Sequence, residues 1–280
     1  MFKLVSERFV PRQPNGSRLW HFVRLSQLSK LQTFLKWGIW LARLDQFKDE
    51  LEGTLPEANL GLLQKLMPPA MVDATADLYR ADALRGYASC WHLCDGDPDA
   101  DMWRSKFGSS GRAIALRTSP ALLSAATARF LGPSGPCYLG QVSYVDHEED
   151  AVPEANTIEV AFVVQNRFAF QREVRLDAHT LSDAAYGVFL NEQLIKDQAV
   201  GRLARPDELI EYTNEMVGNI PLELGPKLHG EYDGKALILP IRPETYIDEI
   251  LIGSKVRDEE VQALTEQLQE AGLADRVRRL

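Results

Sequence analysis

The residues best placed to do chemistry lie between Arg167 and Leu176. Read as an extended strand with alternating side chains, this run puts Phe168, Phe170, Val174 and Leu176 on one face. Arg167, Gln171, Glu173 and Arg175 fall on the other, so one carboxylate stands among two cations and an amide; Arg172 interrupts the apolar face. A charged face of this kind is either a solvated strand surface or the floor of a site. The second acidic group is the turn from Asp45 to Gly53, where Asp49 and Glu52 either support a helix start or hold a divalent ion as a nuclease or phosphodiesterase would. The run Cys90-Trp91-His92-Leu93-Cys94 raises a metal site or a Cys–His nucleophile. It lacks a second ligand pair at zinc spacing and an orienting acid, so neither is assigned. His21 sits in an apolar run, as a hydrogen-bonded core histidine or a ligand contact. Trp91 and Trp103 are core residues or the wall of a pocket for a planar ring, and Arg112 binds phosphate or pairs with an acid. No glycine-rich loop of P-loop or dinucleotide-binding spacing occurs.

The elements that must carry these residues follow from punctuation and periodicity. Leu19 to Leu25 is short and apolar on both faces, a buried strand bearing Trp20 and His21. Ser26 caps a helix with Leu28, Leu31, Phe34 and Leu35 at helical spacing, stopped by Gly38, and a second strand runs from Ile39 to Leu44. Residues 57–85 are helical in pattern, split by Pro68 and Pro69, and form an inserted cover; a polar helical segment at about 182–218 is a second insertion. Strands are predicted at Tyr87 to Trp91, Arg112 to Arg117, Cys137 to Val145, Lys235 to Ile241 and Tyr246 to Gly253. Helices are predicted around Met102, Trp103 and Phe107, after the Ser119 cap with Pro120 in the first turn, over Pro153 to Gln165, and from Asp258 to Ala271. Helices neither alternate regularly with strands nor segregate from them. The fold class is therefore α+β with a mixed, mainly antiparallel sheet and covering helices, in one domain over 1–280.

Composition bounds the function. The 280 residues, 45% hydrophobic and 25% charged, suffice for a sizeable core. A net charge of -9 disfavours nucleic acid without excluding a local basic cleft. No stretch approaches the roughly 18 to 20 apolar residues of a membrane span, the start lacks the apolar core of a signal peptide, and three cysteines make no disulfide framework. These features place the protein in the cytoplasm, away from membranes.

Taken in order, several short blocks resemble the bacterial domain-of-unknown-function family 2971. They are Trp20-His21, Arg43 with Phe47, Asp49 and Glu52, then Ser89-Cys90-Trp91, Met102-Trp103 ahead of Phe107, Gly111 to Ile114, Arg172 to Arg175, and Ile247 to Gly253. Phe107 stands where that family usually has tyrosine and Gln171 where it usually has a second glutamate, which removes a hydroxyl and a carboxylate. A further resemblance is to ADP-ribosyltransferase-like families, which open with an aromatic–His pair on a first strand and place a glutamate on a late one. That resemblance implies an ADP-ribosyltransferase-like fold and an enzyme acting on NAD or a related nucleotide, by transfer or hydrolysis, in stress or phage defence. It implies His21 and Glu173 as catalytic residues, and Arg43, Tyr87, Ser89, Trp91, Trp103, Arg112 and Arg175 around the nucleotide. In such chemistry a fixed anion stabilises the oxocarbenium ion that develops as the N-glycosidic bond breaks. The competing expectation is a non-catalytic protein-interaction or antitoxin-like module in which the same residues are structural pairs.

Overall fold

The computed structural model describes residues 3–4, 18–83, 86–98, 102–103, 112–128, 130–131, 137–152, 157–179 and 236–280. In chain order the elements are β1 (Lys3–Leu4), β2 (Arg18–Arg24), α1 (Leu28–Lys36), β3 (Ile39–Arg43), α2 (Glu57–Leu63), α3 (Pro69–Ala83), β4 (Gly86–Cys94), β5 (Ala113–Thr118) and α4 (Pro120–Thr127). They continue with β6 (Cys137–Gln141), β7 (Ser143–Val145), β8 (Asp150–Ala151), α5 (Thr157–Val160), β9 (Val163–Gln165), β10 (Glu173–His179), β11 (Ala236–Leu239), β12 (Glu249–Ile252), α6 (Asp258–Glu270) and β13 (Val277–Arg279). The class is α+β with a mainly antiparallel sheet.

Nine strands form the main sheet, and β4 is its hub. One edge of β4 pairs with β10 from Gly86 to His92, and β10 carries β6 on its far side. The other edge is divided: β3 pairs at Tyr87 and Ala88, and β2 at His92, Leu93 and Cys94. Beyond β2 follow β5, β12 and β13, and beyond β3 lies β11; every ladder is antiparallel except β12 with β13. Two small parallel pairs, β1 with β8 and β7 with β9, complete the described strands.

The sheet buries both faces, which is why its strands read as nearly continuous apolar runs. The inner face carries Leu19, Val23, Trp91, Leu93, Ile114, Leu116, Val174 and Leu176 and is covered by Leu31 and Phe34 of α1, Leu123 of α4, and Leu264 and Leu268 of α6. The outer face carries Trp20, Ala113, Ala115 and Leu251 beneath Trp103, and Ala88 beneath Leu44, Ala83, Ala161 and Phe162. Ser119 caps α4 through its Oγ, which accepts from Leu122 N at 3.1 Å. The stop at Gly38 has a steric origin. Its φ is +127°, and a Cβ there would lie 1.9 Å from the Leu239 carbonyl oxygen, so only glycine lets α1 turn into β3 against β11.

Three expectations change. Residues 167–171 are not strand: Asn166–Gln171 is a 3₁₀ turn ended by Arg172 in the left-handed region (φ 42°, ψ 54°), and β10 begins only at Glu173. The turn is closed by Arg172 N donating to the Ala169 carbonyl at 3.2 Å, and only from Glu173 onward does the chain find strand partners in β4 and β6. Of Pro153 to Gln165, read as helix, the described residues 157–165 hold one turn of helix and then β9, whose valines pair with β7. Cys137 to Val145 is two strands, broken where Val142 N turns to the Glu173 carbonyl at 2.9 Å. Proline does split the 57–85 segment into α2 and α3. The segment at about 182–218, Phe107 and Gly111 lie outside the described residues.

Candidate functional site

Register decides which predicted site residues meet. Glu173 is opposite His92 and Arg175 opposite Cys90 across the β10–β4 ladder, so these four side chains share one face. Trp20 is also opposite His92, which puts His21, one residue on, on the reverse face. There the His21 ring packs 4.8 Å from Phe34 and 5.2 Å from Trp91, and Nδ1 bonds the Cys90 carbonyl at 2.8 Å. A carbonyl only accepts, so Nδ1 carries the hydrogen. His21 thus bridges the notch that β2 and β3 leave along β4. Glu173 and His21 do not form one site: a sheet and two strand positions separate them.

Tyr87, Ser89 and Trp91 belong to the inner face with His21. Ser89 Oγ and Trp91 Nε1 are buried with no hydrogen-bond partner among the described residues. Arg43 ends β3 opposite Tyr87 and grips Asp45 with two bonds, at 2.7 and 2.9 Å. Arg112 pairs with Glu260 in the first turn of α6. Arg43 thus stands opposite Tyr87 at the edge of the inner face and Arg112 is held by the helix that covers that face, so neither joins the outer group.

The outer face holds the concentrated chemistry. Arg175 is 1% exposed, and its Nε donates to Glu173 Oε1 at 2.5 Å while Nη1 donates to Glu52 and to the Ala161 carbonyl. Phe47 lies under the guanidinium, 5.4 Å from ring centre to Cζ. The backbone of Glu173 is pinned as well: its N–H donates to Tyr144 Oη at 2.8 Å and its carbonyl accepts from Val142. Glu52 arrives from the acidic turn. That turn is built by Asp49, which accepts from Leu51 N and Gln165 N, each at 3.1 Å, and from the Gln165 amide. Asp49 thus shapes its own turn and ties it to β9; it does not cap α2, which begins at Glu57.

One cation therefore faces two buried carboxylates, and the charges do not balance. Burial pushes the Glu52 carboxyl up from 4.5 to about 7, opposed by Arg175 and reinforced by the charges of Glu173 and Asp49. Glu52 exchanges its proton near neutrality. The same burial, with Glu173 beside it, drives the Cys90 thiol well above its ordinary range, so Cys90 is no thiolate nucleophile.

Beside this cluster stands an aromatic wall in which Trp103 takes the wall position expected of it, His92 joins as a ring rather than a ligand or nucleophile partner, and Phe22 had no sequence signal. His92 is buried, donates from Nδ1 to the Gln171 carbonyl at 2.6 Å, and meets the edge of Phe22 at 5.4 Å; Phe22 meets Trp103 edge-on at 5.2 Å. The signal for His92 was its two-residue spacing from Cys90. What spacing could not supply was the strand beside it. Among the described residues, no three His, Cys, Asp or Glu side chains gather to hold a metal ion, so Asp49 and Glu52 form no such centre there. No helix among them is long and apolar enough to cross a membrane.

No protein-family model, curated protein or solved structure matches this chain. The outer face thus combines a carboxyl group held by a buried arginine, a second carboxyl pushed up to about 7, and a wall of His92, Phe22 and Trp103.

Proposed function

We propose that this protein is an ADP-ribosyltransferase-like enzyme that cleaves the N-glycosidic bond of NAD or a related nucleotide on the outer face of the sheet. The observation that carries the reading is the pair Glu173 and Glu52 on one buried arginine, with Glu52 poised near neutral pH. Two carboxyl groups that share one buried arginine, one of them pushed up to about 7, suit glycosidic chemistry. As the bond to nicotinamide breaks, its electron pair leaves with the neutral base, and the ribose C1′ gains positive charge that Glu173 stabilises. A water or another acceptor then attacks C1′ and gives its proton to Glu52 in the ionised form. Trp103 and Phe22 form the wall for a planar ring. His21 takes no part, in contrast to the role the family resemblance implies for it.

The test is nicotinamide release from NAD, followed chromatographically. Wild type should release it, and Glu173→Gln should lose at least 100-fold while remaining folded. Absence of release and of NAD binding by the wild-type protein would sink the proposal.

A second reading is favoured by a specific observation: Arg175 is 1% exposed and, among the described residues, ties Glu173, Glu52 and the Ala161 carbonyl together. On that reading the cluster is a structural tie between the acidic turn, the Ala161 segment and β10 in a non-catalytic interaction module. Glu173→Gln would then lower the midpoint of unfolding with no activity to lose.

A further inference from the structure

A dinucleotide brings a pyrophosphate, and the arginines named from the sequence are engaged elsewhere. Arg43 is locked to Asp45, Arg112 to Glu260, and Arg175 is buried between two carboxylates. Two other arginines flank the outer face. The turn Asn166–Gln171 projects directly before Glu173, and its Gln171 carbonyl holds His92. From this turn the Arg167 side chain is 60% exposed, with its guanidinium 4.8 Å over Phe168 and 3.9 Å from Asp49. Phe170 is 60% exposed, one of the few large apolar side chains left in solvent among the described residues.

Arg172 is the most informative member. It is the only described non-glycine residue with positive φ, in a region where a side chain costs about 1 kcal/mol or more against glycine. The side chain returns little to the fold. Its ion pair among the described residues is 3.6 Å to Asp95, with both partners more than half exposed, and pairs of this kind contribute little stability. The strained backbone is nonetheless fixed by bonds from Arg172 N to Ala169 O (3.2 Å) and from Leu93 N to Arg172 O (2.9 Å). An exposed guanidinium is thereby held on the residue directly before Glu173, at the end of a turn that also carries an exposed aromatic ring and a second exposed arginine.

We propose that this turn is a diphosphate-recognition lip, with Arg167 and Arg172 contacting the pyrophosphate and Phe170 covering the attached sugar or base; it rests on the nucleotide reading above. Arginine forks match phosphate oxygens geometrically, and an exposed phenyl ring gives a base or sugar an apolar cover. The lip recruits the diphosphate while the buried cluster meets the glycosidic bond, so the two can be tested apart.

The experiment is calorimetric titration of ADP and of inorganic pyrophosphate into the full-length protein. Arg167→Ala with Arg172→Gly should weaken both by at least tenfold and flatten the salt dependence of binding. Arg172→Asn, which keeps a residue tolerant of the left-handed region, should weaken both severalfold. Phe170→Ala should weaken ADP more than pyrophosphate. Arg242→Gly, which removes a still more exposed charge elsewhere, should change neither. Wild-type binding of neither probe, or unchanged affinity in the Arg167/Arg172 variant, overturns the lip. Nicotinamide release separates the two proposals: release with unaltered KM in the lip variants refutes the lip alone, whereas lip-dependent ADP binding without release refutes the glycosidic reading alone.

Discussion

Replacing Glu52 by glutamine should make the protein more stable at pH 8 and leave it nearly unchanged at pH 4.5. In the unfolded chain Glu52 releases its proton near 4.5, and in the folded protein near 7. Below 4.5 both states are protonated, and the preference of the fold for the neutral carboxyl is fully expressed. Between 4.5 and 7 the folded state holds a proton that the unfolded state has lost, so stability falls as pH rises. At about 1.4 kcal/mol per pH unit, that window amounts to about 3 kcal/mol, complete above 7. Glutamine cannot ionise, and its carbonyl oxygen still accepts from Arg175, which keeps Glu173 as its counter-charge. The stability of Glu52→Gln minus that of wild type should therefore grow by about 3 kcal/mol from pH 4.5 to 8. Urea unfolding followed by tryptophan fluorescence at several pH values measures the difference, and subtraction cancels the titrating groups that do not couple to Glu52. A flat difference would refute the charge imbalance. A difference of opposite sign would mean that Arg175 outweighs burial and that Glu52 is an ordinary ion-pair partner.

Other expectations follow from the same geometry. His21→Leu should cost about 1 to 3 kcal/mol by leaving the Cys90 carbonyl buried without its donor, while nicotinamide release continues; loss of release in a folded variant would restore His21 to the site. The Cys90 thiol should resist thiolate-selective reagents at pH 8 until urea is added, and rapid labelling of Cys90 in the native protein would contradict its elevated pKa. Gly38→Ala should destabilise by several kcal/mol, seen as a large drop in the urea midpoint, since its methyl group meets the Leu239 carbonyl and the backbone stays strained. Wild-type-like stability there would show that the approach of β11 to the α1–β3 turn is looser than described.

Sequence patterning revealed the elements better than their assembly. Strands such as β2 and β5 announce themselves because both faces are apolar, and α1 and α4 because Gly38 and Ser119 punctuate them. The charged character of Glu173 and Arg175 was equally legible as a two-residue alternation, and that part of the alternation survives in β10. The face of His21 was not. Chain order makes Trp20-His21 and Glu173 look like members of one constellation, but only strand register assigns a face, and a difference of one residue reverses it. Glu52 was visible as an acid in a turn; its partnership with Arg175 joins residues 123 positions apart, which no local pattern encodes. Arg172 looked like an irregularity in a strand because the left-handed backbone that explains it has no signature in an arginine.

The divided edge of β4 also bears on how the molecule is assembled. By Cys94 the chain has supplied β2, β3 and β4, and these can close only one edge of the hub strand. The opposite edge awaits β10, nearly 80 residues later in the chain, and until then it offers seven residues of open backbone with Cys90 and His92 uncovered. Long-range antiparallel closure of this kind is slow, and an exposed strand edge invites pairing with other chains. A nascent or truncated chain ending before Glu173 would thus be prone to self-association through β4, and Glu173 with Arg175 would seal that edge as well as furnish the outer face.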